Sequence, residues 1–136
     1  MKNIIARIVN LKEFSNSKST VLLEMVYDDL VTLLRFIHKS QKEGFLQGPF
    51  LFTNQIEYLD QMWHHFILHT KAYCDFCISE FGEYLHHDVG IPLEDTKKEE
   101  AGNDGEVIIS QMKLLEDRLG VDFVRRIFFI YPELLK

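Results

Sequence analysis

Asp60 and His64 stand four residues apart, and a doublet of imidazoles, His86-His87, follows further along the chain. Residues four apart on a helix project from one face, so this carboxylate and imidazole can reach a common point. Carboxylate and imidazole are both good ligands for divalent transition metals, with zinc and iron the natural candidates. A later imidazole, folded back from the doublet, would complete three protein ligands and leave a position open for water or substrate. The chemistry of such a centre is activation of water or of oxygen on a small or peptide substrate. The candidate metal ligands are therefore Asp60, His64, His86 and His87.

His65 and His69 repeat the four-residue spacing, but on the outward side of the same helix. There a supporting shell of hydrogen bonds is harder to build. They form the second choice, together with Cys77. Cys74-x-x-Cys77 has no matching second pair, which rules out a four-cysteine zinc site. Both sulfurs are expected on the apolar side, as buried and inert thiols. Trp63 is expected as a core anchor whose indole N–H meets a neighbour. A plainer alternative gives Asp60 and His64 only a helix-surface ion pair, and the doublet only a place at a helix end. Asp60, His64 and Tyr73 would then brace a non-catalytic module that binds a protein partner.

These side chains need helices to place them, and the pattern supplies helices. In order, the expected elements are residues 3–14, then about 20–42, with Leu23, Val26, Leu30, Leu33, Leu34 and Ile37 on one face. Gly44 and Gly48-Pro49 break the chain. Phe45, Leu46, Phe50, Leu51 and Phe52 should hold the linker as an ordered loop on the core. Asn54-Gln-Ile-Glu57 has the form of a capping box opening the next helix. Thr70 is placed as the cap of a restarted helix reaching Tyr84. After a polar loop at about 88–105, expected to be mobile, come helices over 106–119, closed by Gly120, and 122–130, capped by Asp122 and ended by Pro132. The sequence thus reads as one all-α domain over 1–136, a single compact bundle of about five helices.

Composition agrees with a globular chain: 46% apolar and 26% charged residues among 136. A net charge of −6, from 21 acidic and 15 basic residues, argues against a broad nucleic-acid surface. No stretch has the length of apolar residues that a membrane span needs. Met1 to Arg7 carries no cleavable leader pattern, so a cytoplasmic location is expected. The expected partner is a protein or peptide.

The run Asp60-x-x-Trp-His64, then Ile67-Leu-x-Thr70-x-x-Tyr73-x-x-x-Cys77-x-x-x-Phe-Gly82 and His86-His87, resembles the glycine-rich domain-containing protein-like family. Looser likeness runs from Arg35-Phe-Ile-His38 to Leu119-Gly-Val-Asp122 and Tyr131-Pro132. The resemblance implies a small helical domain, of the stand-alone bacterial type, with little function to transfer. It puts Asp60, His64, Tyr73, Cys77, His86 and His87 at motif positions and leaves His65 and His69 outside them. Phe66 stands where many members carry a second histidine, and the glycine-rich tail of the plant proteins is absent.

Overall fold

A computed structural model describes residues 20–46, 48–87 and 98–135, with the side chains of 98–104 excepted. The expected helix at 3–14 and the stretch 88–97 lie outside them. The described residues fold as five helices without a strand. Helix α1 is Thr20–Glu43, α2 is Glu57–Leu68, α3 is Thr70–Phe81 and α4 is Lys98–Leu119. The fifth, α5, covers 121–134. It is α-helical at Val121–Arg125, π-helical at Arg126–Ile130, and α-helical again at Tyr131–Leu134. The all-α bundle read from the sequence is the observed fold.

Helix α1 is the spine. Leu23, Val26, Leu30, Leu33, Leu34 and Ile37 recur every three or four residues and are all buried. Glu24, Asp28, Arg35 and Lys39 are exposed on the other faces. The helix stops where Gly44 takes φ 69°, a left-handed conformation that a side chain resists. The Gly44 N–H still reaches the Ser40 carbonyl at 2.8 Å.

The aromatic linker then lies on the core as expected. Phe50 is buried with its ring edge-on to Phe36 and Phe52. Gln111 of α4 clamps the linker from the far side. Its Oε1 accepts the Leu51 N–H at 2.8 Å, and its Nε2 donates to the Leu51 carbonyl at 2.9 Å. One side chain thus serves both polar groups of a half-buried residue.

Ahead of the last helix, the boundaries depart from expectation at four places. The Asn54-to-Glu57 capping box is not made. The chain enters α2 through a 3-10 turn, Asn54–Ile56, in which the Ile56 N–H bonds the Thr53 carbonyl at 3.0 Å. That tight turn satisfies the backbone without a side-chain cap. Thr70 does not cap α3 either: His69 occupies the break between α2 and α3, at φ −84° and ψ 69°. Helix α3 ends at Phe81 rather than Tyr84, because Gly82 turns left-handed at φ 73°. Helix α4 begins at Lys98, so the second half of the polar stretch expected as a mobile loop is helical.

The C-terminus departs most. Asp122 lies inside α5, with Gly120 at the cap position. Pro132 does not end the helix. A proline lacks the N–H for the usual bond to the fourth preceding carbonyl, and its ring crowds that carbonyl. The wider π turn just before it opens the ladder there, and the helix resumes with Pro132 in its first turn. Phe128 and Tyr131 are core residues, whereas Phe129 and Ile130 are exposed.

A candidate metal centre between α2 and the segment after α3

Helix α2 turns Leu59, Met62, Trp63 and Phe66 into the core. Asp60 and His64 fall beside that buried face, one turn apart. Their closest atoms, Asp60 Oδ2 and His64 Nδ1, are 3.7 Å apart. After Gly82 the chain leaves the helical path and runs back along α2. Burial alternates there: Leu85 and His87 turn inward, Tyr84 and His86 outward. That alternation separates the doublet.

His87 is the imidazole that returns to Asp60, with Nε2 2.6 Å from Asp60 Oδ1. Its ring lies 4.0 Å from the Trp63 ring and 4.3 Å from the His64 ring, centroid to centroid, with Phe52 parallel to it at 6.2 Å. One potential ligand atom from each of Asp60, His64 and His87 lies within 4.8 Å of the others. Ligands about 2.0–2.2 Å from one ion can be up to about 4 Å apart, so a small side-chain rotation would bring all three onto a single ion. The side chains of Asp60 and His87 are 23% and 13% exposed and that of His64 is 57% exposed, so the open side of the cluster faces solvent.

The remaining candidates lie elsewhere. His86 is exposed, with its ring 4.8 Å from that of Tyr84, and is not among the three converging residues. His69 is half-buried, and its Nδ1 is 2.8 Å from the carbonyl of His65. This contact serves one of the carbonyls left over at the end of α2. His65 and His69 do not join the Asp60 cluster. Cys77 is buried in the core, one helical turn after Tyr73. Cys74 is exposed, contrary to the expectation of two buried thiols; one residue past Tyr73 and two before Phe76, it is turned by about 100° and 200° from those buried positions.

A second line of contacts runs beneath the cluster. The Trp63 indole N–H donates to the Tyr73 hydroxyl at 3.0 Å, and that hydroxyl donates to the Leu85 carbonyl at 2.6 Å. Burial pushes the Tyr73 phenol well above its ordinary range, so it stays a neutral donor.

Asp29, Arg126 and Tyr131 form another polar cluster, one that no motif in the sequence marks. Arg126 holds both Asp29 oxygens, at 2.8 and 3.1 Å, and the Tyr131 hydroxyl adds a bond at 2.6 Å. The only available signal was Asp29 on the flank of the apolar stripe of α1, beside the exposed Asp28.

What fold and cluster define is a small all-helical protein with a carboxylate and two imidazoles gathered at its surface. The chain belongs to the UCP032817-like family, an uncharacterised one, whose model matches residues 11–107. The resemblance to the glycine-rich domain-containing protein-like family is thereby corrected, since the matching model is a different one and nothing indicates the glycine-rich family. The physical reason lies in the motif. Trp63, Tyr73 and Cys77 are core positions and Gly82 is a helix end, and packing alone favours such residues at such places. No curated protein matches the chain. No solved structure matches it. Among the described residues, no helix is long and apolar enough to cross a membrane.

Proposed function

We propose that Asp60, His64 and His87 hold a divalent transition metal, zinc or iron, and that the centre activates water or oxygen on a small or peptide substrate. The observation that carries this reading is the convergence of the three ligand atoms within 4.8 Å from two separate segments of chain. Two imidazoles and one carboxylate are a donor set common to zinc hydrolases and non-haem iron oxygenases. Three protein ligands leave the remaining positions to water and substrate, and the exposure of His64 gives them access from solvent. His86 is not assigned as a ligand, because it turns outward.

The direct contact of His87 with Asp60 at 2.6 Å supports a second reading. In that reading the cluster and the Trp63–Tyr73–Leu85 line are a hydrogen-bonded brace in a module that binds a protein or peptide. The two readings differ in what removal of metal does. Elemental analysis of protein purified without a histidine tag should find about one zinc or iron per chain. His64→Ala should lose it while helix content, read by circular dichroism, is unchanged. A chelator should lower the melting temperature of the wild type, since metal bound to the native state alone adds to stability. Metal-free protein with a melting curve indifferent to chelator and to added zinc would reject the metal reading in favour of the brace.

A further inference from the structure

The geometry points to Tyr73 as the positioning residue for His87. Tyr73 is fully buried and sits on α3, where it touches none of the three proposed ligands through its hydroxyl. Its hydroxyl accepts from Trp63, the residue next to His64, and donates to the carbonyl of Leu85, two residues before His87. One oxygen therefore ties the helix that carries Asp60 and His64 to the segment that carries His87. The Leu85 side chain, itself buried, plants the same segment in the core from the other side. Only with Leu85 facing inward does the alternation of this segment bring His87, and not His86, over Asp60.

The remaining contacts of His87 are with rings and a carboxylate, and these follow once the segment is in place. Without the Tyr73 hydroxyl, both the Leu85 carbonyl and the Trp63 N–H would be buried without a partner, a state the chain relieves by moving the segment outward. Tyr73→Phe removes that oxygen and preserves the ring that packs against Phe66, Phe76 and Tyr84.

Two measurements test this, and only one rests on the metal reading. In metal-free protein, long-range proton–nitrogen NMR of the imidazoles should give His87 an Nε2 resonance typical of a strong hydrogen bond, with exposed His86 as an internal reference. In Tyr73→Phe the His87 signal should move to the His86 position, and in Tyr84→Phe it should not. Zinc titration of the same proteins should weaken about 10- to 100-fold for Tyr73→Phe, as is usual when a group supporting a metal ligand is removed. A wild type that binds no zinc, with the His87 signal still lost in Tyr73→Phe, rejects the metal and retains the positioning role. A folded Tyr73→Phe protein with the wild-type His87 signal overturns the positioning role. Should Tyr73→Phe fail to fold, Trp63→Phe cuts the same tie at its other end; a His87 signal shifted towards the His86 position there supports the proposal, and an unchanged one overturns it equally.

Discussion

A carboxylate that is nine-tenths buried must be met by donors, or its desolvation is not offset. Asp29 is 8% exposed and is met by three: two from the Arg126 guanidinium and one from Tyr131. The fork of Arg126 matches the carboxylate in the bidentate way that a lysine could not. The Arg126 side chain is 35% exposed, so part of its charge remains solvated. Asp29→Asn should therefore cost about 2–3 kcal/mol, less than the loss of one partner in a wholly buried pair. Urea denaturation checks this through a lower midpoint at unchanged m value; a change below about 0.5 kcal/mol would mean a solvated pair of the ordinary surface kind. The contrast with Asp60 shows what spacing can and cannot reveal. Asp60 and His64 are four residues apart on one helix, so their meeting was legible. Asp29 and Arg126 are separated by most of the described chain, and no local period links them. His87 was legible only as one of two adjacent histidines, because the choice between them depends on which side of the segment Leu85 occupies.

At the scale of elements, the long periodic helix α1 was legible nearly to the residue, whereas the ends of α2, α3 and α5 were not. The reason is that a helix end is decided by the backbone bonds available there. Thr53, His69 and the π turn before Pro132 settle those bonds through main-chain geometry, which leaves little trace in residue type. Glycine ends are clearer, and two of them make a paired test. Gly82 has φ 73°, and a methyl group placed on it would meet nothing within 4 Å. The cost of Gly82→Ala is thus conformational alone, about 1–2 kcal/mol for an alanine forced left-handed. Gly105 lies within α4, where an added methyl group also meets nothing and φ is not positive. Gly105→Ala should then stabilise by about 0.5–1 kcal/mol, as for alanine over glycine in an exposed helix. Melting temperatures of the two single variants should move in opposite directions. Equal signs would mean that α3 does not end in the left-handed turn, or that α4 does not include residue 105. Gly82→Ala carries a second consequence, since a displaced turn would shift the segment that leads to His87.

Among the described residues, an apolar core packs the helices, and three phenols add hydrogen bonds to that packing. Tyr58 donates to the Ile127 carbonyl in the π turn, Tyr73 to Leu85 and Tyr131 to Asp29. The first and third join the start of α2 and the first half of α1 to α5, far away in sequence, and the second folds the segment after α3 back onto that helix. They explain why the bundle was legible as a class and not as an arrangement: apolar stripes show that helices pack, and distant polar contacts decide which faces meet. They also give the fold an alkaline limit. Burial holds the hydroxyls of Tyr27, Tyr58, Tyr73 and Tyr131 well above the ordinary phenol range, with Asp28 adding to the effect at Tyr27, and Tyr131 and Asp29 at Tyr58. An unfolded chain would release these protons near pH 10, while the native protein still keeps them. The native state then binds more protons than the unfolded state, so stability falls as pH rises. It is intact below about pH 10 and declines from there upward, by up to about 1.4 kcal/mol per pH unit for each phenol. Denaturant midpoints measured from pH 8 to 11.5 should stay level and then drop steeply, and in a Tyr84→Phe background, which removes the exposed phenol, tyrosinate absorbance near 295 nm should rise together with unfolding rather than before it. Tyr58→Phe should make the drop shallower, because one of the retained protons is gone. Ionisation of these phenols in a still-folded protein near pH 10 would show that they are not sealed in the core, and with them would go the account of how the helices are joined.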